Sequence, residues 1–139
     1  MNSFEVQIDK FVKATKEKML AVVKNSIQDV VNDAQTPVKQ AGKMPVDTGF
    51  LRASAGASLN RLPEGETLGR KREKEEKGVL YQYSGDFLPL VLGKMKIGDT
   101  FYFGWTAVYA RKQNLRHGFL DSAVDKWVET VKKNCKELK

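Results

Sequence analysis

One cysteine and one histidine in 139 residues leave little room for thiol or metal chemistry. Cys135 has no second cysteine with which to form an internal disulfide or a thiolate metal site. Near the C-terminus, at a helix-face position, it reads as a small buried hydrophobe rather than a nucleophile. His117 stands alone, which excludes a histidine-rich metal site and weakens any His–Cys or His–Ser dyad. Beside Gly118, just ahead of a helix start, it suits capping or partly exposed packing. Long apolar runs are also missing. The longest, Phe87 to Leu92, is broken by Pro89 and falls far short of the ~20 residues that a bilayer span needs. The opening Met1-Asn2-Ser3-Phe4-Glu5 lacks the apolar centre of a signal peptide. A soluble protein of a reducing compartment is expected, with no membrane contact and no cofactor. Lys94-Met95-Lys96-Ile97-Gly98 lacks the glycine spacing of a phosphate loop.

What is abundant is positive charge, +7 overall. Its distribution is diffuse. Residues 1–36 and 63–78 each balance five basic against five acidic side chains, and the excess is spread over 37–62, 79–114 and 115–139. A dedicated nucleic-acid reader concentrates its charge, so diffuse positivity points first to solubility.

The chain fits one domain, residues 1–139, with one core. Residues 1–36 read as a long amphipathic helix. Asn2 or Ser3 with Glu5 offers a capping box, and Phe4, Ile8, Phe11, Val12, Met19, Val22, Val23, Ile27, Val30 and Ala34 recur at helical spacing until Pro37. A helix from about residue 3 to 35 is about 48 Å long, against a radius of gyration near 13 Å for a globule of about 100 residues. Its apolar stripe outruns one small sheet, and the overhang is expected to seek a neighbouring subunit.

After a connector at 38–49, Leu51, Ala53, Ala55, Ala57 and Leu59 alternate with polar or small residues, as in a strand. Residues 63–78 hold ten charges and one sizeable apolar side chain, Leu68, and read as a charged mobile loop or hairpin tip. Val79–Tyr83 and Leu88–Leu92 are candidate strands, and Thr100–Trp105 is the best strand by composition. A short helix through Ala107 to Asn114 follows. The last helix presents Leu120, Val124, Trp127, Val131, Cys135 and Leu138 on one face. The fold expected is α+β: a long N-terminal helix, an antiparallel sheet of about four strands and a C-terminal helix packed on the sheet.

Asp47-Thr48-Gly49 spells the aspartic-protease tripeptide, where two such loops share a proton. One copy works only in a homodimer, and a long helix ahead of it does not suit that nearly all-β fold. The alternative is a structural turn: Pro45 ends one segment, Asp47 accepts backbone N–H bonds, and Gly49 takes a conformation costly to other residues. The turn is the reading adopted. Arg70, Lys71, Arg72 and Lys74 form a basic cluster neutralised locally by Glu73, Glu75 and Glu76. It reads as a solvated tip, with contact to DNA phosphates or an acidic neighbour as second choice. Tyr81, Tyr83, Phe101, Tyr102, Phe103 and Trp105 suit core and subunit contact better than a base-stacking platform.

Pro45-Val46-Asp47-Thr48-Gly49 followed by Leu51-Arg52-Ala53-Ser54, then Val108-Tyr109-Ala110, then Gly118-Phe119-Leu120 leading into Ala123, resembles the tail-completion or neck-component family of long-tailed bacteriophages. The long helix before the Asp-Thr-Gly-x-Leu-Arg turn is also like that family. The chain departs from it at Arg111-Lys112-Gln113-Asn114, where members often carry glutamate, glycine and threonine, and in the length of the 63–78 insert. The resemblance implies a non-enzymatic virion protein, assembled in host cytoplasm as a ring of six copies at the head–tail junction. Its partners would be itself, a connector or stopper, and a tail-terminator or tail-tube protein. DNA in the channel would be touched weakly and without sequence preference. Tyr109, His117 and Phe119, with the 70–74 cluster, are the candidate interface residues. A basic nucleic-acid-binding module is the rival from another class.

Overall fold

The structure, a computed structural model, describes residues 3–60 and 75–137. Helix α1 (Ser3–Ala34) matches the apolar periodicity almost to the residue. Only its second half enters the core. Val22, Ile27, Val31 and Ala34 are buried, whereas no described residue is buried from Gln7 to Ala21. The Asn2 side of the capping box lies outside the described residues. After α1 the chain folds into a tight loop around a 3-10 turn (Val38–Gln40), with Ala41 left-handed at φ 65°. That loop closes on itself through Met44 N–H to the Thr36 carbonyl, 3.0 Å, and Val38 N–H to the Met44 carbonyl, 3.1 Å.

Among the described residues the sheet has two strands, not about four. β1 (Ala55–Leu59) pairs antiparallel with β2 (Phe101–Trp105), with Ala55 opposite Trp105, Ala57 opposite Phe103 and Leu59 opposite Phe101. Small residues on one strand thus make room for rings on the other. The hairpin-like end is tied by Asn60, whose N–H donates to the Thr100 carbonyl at 2.8 Å and whose amide donates to Asp99 at 3.1 Å. The Lys96 N–H and the Asn60 amide hold the Asp99 carboxyl below its ordinary pKa.

Three segments depart from the expected strands. Leu51 and Ala53 belong to a single helical turn, α2 (Phe50–Ala53), so true alternation begins at Ala55. Val79–Tyr83 has no regular secondary structure and joins no sheet. Leu88–Leu92 lies in helix α3 (Phe87–Lys94), with Pro89 in the first turn, where no intrahelical N–H bond is required. Leu88 and Leu92 face inward four residues apart, joined by Met95 a turn later. An apolar run this short does not separate strand from buried helix in the sequence; the burial of Leu88, Leu92 and Met95 shows the helical face.

Helix α4 (Ala110–His117) is followed by α5 (Phe119–Asp125) and α6 (Trp127–Glu137), so the expected final helix is broken at Lys126. These last two helices pack chiefly on α1, and α5 also meets the sheet through Phe119 against Trp105. Lys126 reaches Asp33 at 3.3 Å. The inward residue of α6 is Asn134, 6% exposed, whose amide donates to Ser26 Oγ at 3.0 Å and to Asp29 at 3.1 Å. Cys135, expected to be buried, is exposed. One residue along a helix is a 100° rotation, so a polar anchor at 134 carries the thiol outward. Val124 and Trp127, also assigned to the inner face, are exposed.

Two apolar clusters result. One joins Ile27 and Val31 of α1 to Leu88, Leu92 and Met95, with Phe101 and Phe103 against them. The other gathers Met44, Phe50, Leu51, Ala107 and Phe119, with Tyr81, Trp105 and Tyr109 around them.

Candidate functional site

The second cluster is where the sequence motifs meet. Gly49 adopts φ 85°, which turns the chain from the Pro45–Asp47 segment into α2 and drives Phe50 and Leu51 inward. Its lack of a side chain is required twice over. A Cβ there would sit 2.1 Å from the Tyr81 carbonyl oxygen, and the positive φ is itself costly to other residues. The close approach exists because Tyr81 N–H donates to the Thr48 carbonyl at 2.7 Å, laying the 79–83 segment across the turn. Phe50 then packs edge-on to Tyr81 (centroids 5.0 Å) and at 6.3 Å from Tyr109.

Above this cluster is an open cleft of about 290 Å³, bordered by Pro45, Asp47, Thr48, Glu75, Tyr109 and Gln113. Glu75 is its organising group. Its two carboxylate oxygens accept the Thr48 hydroxyl and, at 3.1 Å, the Tyr109 phenol. Glu76 N–H donates to the Tyr81 phenol oxygen at 2.9 Å. The end of the charged stretch is therefore fastened to the Asp-Thr-Gly turn; its residues 63–74, including Arg70, Lys71, Arg72 and Lys74, lie outside the described residues. Tyr109 is pushed up to about 12, by burial first, then by the Glu75 hydrogen bond and charge, with Asp47 and Tyr81 adding to it. Asp47 is exposed at the rim.

Arg52 points elsewhere, into a network the sequence did not advertise. Its Nε–H donates to the Gln35 carbonyl at 2.8 Å, while Gln35 Nε2 donates to the Arg52 carbonyl at 2.9 Å. Gln35, 2% exposed, also accepts Trp105 Nε1–H at 2.9 Å. The guanidinium lies over the Tyr83 ring, 4.8 Å from its centroid. Burial raises the Tyr83 pKa, opposed by a Gln35 hydrogen bond and the Arg52 charge. One buried amide thus ties the end of α1 to α2 and β2. The signal was faint: a glutamine next to the last apolar position of α1.

Of the candidate interface residues, Phe119 proves to be core. It is 2% exposed and meets Trp105 edge-on at 4.9 Å, so it is not available to a partner. Burying such a ring contributes about 1.5–3 kcal/mol. Tyr109 is half-buried in the Glu75 brace, and His117 is exposed at the end of α4. The aromatic strand is likewise occupied, Phe103 lying near-parallel to Phe87 (6.4 Å) and edge-on to Trp105 (4.9 Å). Among the described residues no cluster of three or more His, Cys, Asp or Glu could hold a metal, and no helix is long and apolar enough to cross a membrane.

Comparison of the chain with family models, with curated proteins and with solved structures finds no match.

Proposed function

We propose that this protein is a structural component of a bacteriophage neck, closing a ring of like copies at the head–tail junction that completes the tail or joins it to the head around the DNA channel. The observation that carries this reading is the uncovered first half of α1. Phe11 is 72% exposed, Met19 57% and Val12 43%, and the first buried residue among those described on this helix is Val22. An exposed apolar helix face of this kind is stabilised in water when neighbours cover it. The second support is the placement of the residues on which the phage resemblance rests. Gly49, Leu51, Tyr109 and Phe119, far apart in sequence, meet around one cluster, as a shared architecture requires.

The nucleic-acid-binding alternative has less to stand on, because Phe101, Phe103 and Trp105 are engaged in internal packing and do not form a free stacking surface. A protease reading of Asp47 would need a second such loop from another copy.

The test is imaging and mass analysis of assembled phage particles. The expected result is a closed ring of this protein, six copies by the resemblance, between portal-side and tail-side proteins. Its absence from particles, with head–tail joining intact when it is removed, would overturn the reading.

A further inference from the structure

Strand β2 forms an open edge of the sheet. Asn60 N–H donates to the Thr100 carbonyl at 2.8 Å and Thr106 N–H to the Ser54 carbonyl at 3.2 Å, which fixes the phase of the ladder. Between those rungs Gly56 stands opposite Gly104 and Ser58 opposite Tyr102. The even-numbered residues of β2 therefore exchange bonds with β1, and the N–H and C=O groups of Phe101, Phe103 and Trp105 point the other way. Among the described residues none of those outward groups has a hydrogen-bond partner. Unpaired backbone groups are tolerated where water reaches them, and β2 is partly exposed along its whole length. β1 offers no comparable edge, since Ala55, Gly56, Ala57 and Ser58 are buried and α3 packs against the strand.

Proteins that keep a strand edge open protect it with a lysine, a proline or a bulge. Residues 100–106 contain no charge and no proline, and the register with β1 runs without a bulge. Gly104 has open space where a side chain would stand. A strand from another protein is selected by side-chain pockets or charges beside the edge. Here the Phe101, Phe103 and Trp105 rings are engaged in the internal clusters, and no charge lies between 100 and 106. The edge does, however, fit itself. Its outward-facing residues are spaced by two about Phe103, so a two-fold rotation sets each outward N–H against a C=O. The partial charges are complementary along the whole strand, and no net charge opposes the approach. Phe103 then stands opposite its own copy, and Phe101 opposite Trp105 of the second copy, aromatic pairs of the kind that stabilise cross-strand neighbours.

We infer that two copies of this chain pair through β2, antiparallel and centred on Phe103, making one four-stranded sheet across a two-fold axis. The contact is isologous, so it joins copies in pairs and does not propagate round a ring. It goes beyond the neck reading, does not rest on it, and uses a surface separate from the uncovered half of α1.

Amide hydrogen exchange on the full-length wild type, at low and at high protein concentration, reads this contact directly. The Phe101, Phe103 and Trp105 N–H groups should exchange at least about tenfold more slowly in the concentrated sample, because pairing follows mass action. Tyr102 and Gly104, already bonded to β1, should change little. Cross-linking tests the register, in a Cys135→Ser background that leaves no other thiol. In a pair centred on Phe103, Tyr102 faces Gly104 of the second copy at a non-hydrogen-bonded position, where Cα atoms lie about 4.5 Å apart and a disulfide can bridge them. Mild oxidation of an equimolar mixture of Tyr102→Cys and Gly104→Cys should give at least about tenfold more covalent dimer than either variant alone. The exchange measurement needs no substitution, so a variant that fails to fold leaves the pairing testable. Exchange at the three amides that is independent of concentration overturns the pairing. Cross-linking no stronger in the mixture than in the separate variants overturns the register. Assembled particles in which another protein's strand lies along β2 would assign the edge to that protein instead. None of these failures touches a ring built on α1, which imaging of particles tests by itself.

Discussion

Gln35 and Arg52 hold each other by two reciprocal bonds, side chain to backbone in both directions, at 2.9 and 2.8 Å. With the Trp105 indole on the remaining Gln35 oxygen, this pair joins the end of α1 to α2 and the sheet. Gln35→Leu keeps the volume but strands the Trp105 N–H and the Arg52 carbonyl in a buried setting. Such a change is expected to cost about 2–3 kcal/mol in denaturant unfolding. Arg52→Lys should cost about 1–2 kcal/mol, because an ammonium reproduces neither the Nε–H bond nor the flat stack on Tyr83. Unfolding curves that coincide with wild type for both would show that the network does not hold these elements together.

Gly49 and Gly118 both have positive φ, 85° and 69°, yet they should respond differently to alanine. At Gly118 nothing lies within reach of a new Cβ, so only the left-handed backbone is penalised, by about 1 kcal/mol. At Gly49 the same penalty is joined by collision with the Tyr81 carbonyl, whose segment is pinned to Thr48. Gly49→Ala is expected to lose about 3 kcal/mol or more and to free the 79–83 segment to faster amide exchange. Equal losses at the two sites would refute the role given to the close approach.

Asn134 and Cys135 offer a paired test of which side of α6 faces α1. Asn134→Ala removes bonds to Ser26 and Asp29 and is expected to cost about 1–3 kcal/mol. Cys135→Ser, at an exposed position, should stay within about 0.5 kcal/mol of wild type, and the thiol should react quickly with a soluble thiol reagent in the folded protein. The opposite ranking would mean that α6 is rotated.

Tyr109 should ionise well above the ordinary tyrosine value. Its folded pKa of about 12 lies above the ordinary 10.0, so the folded state retains a proton that the unfolded state gives up first. Its contribution to stability is therefore fully present below pH 10 and is lost as pH rises through 12. Tyrosinate absorbance should show a late-titrating component that Tyr109→Phe removes and Glu75→Gln moves to lower pH. If the Glu75→Gln titration overlays that of wild type, the Glu75–Tyr109 brace is absent in solution.

Much of the backbone was legible in the chain. The 3.6-residue recurrence from Phe4 to Ala34, ended by Pro37, located α1, and the aromatic density of 101–105 located β2. Both signals are local and strong. Leu88–Leu92 was not legible as helix, because a five-residue apolar run with a proline satisfies a strand template equally well. Gly49 was legible as a backbone position costly to other residues, but its partner was not, since the oxygen that excludes a Cβ comes from Tyr81, thirty-two residues later.

The sequence by itself determined the long helix, its half-used apolar stripe, the aromatic strand and the glycine at 49, all properties of periodicity, composition and backbone stereochemistry within a few residues. Long-range packing set the rest: Phe119 is core, Cys135 faces solvent, the described sheet has two strands, and Gln35 and Glu75 bind distant segments. Those outcomes depend on which surfaces meet across tens of residues. Polar side chains such as Gln35 and Asn134 leave no mark in a hydrophobic pattern, because what makes them inward-facing is the partner waiting on another element.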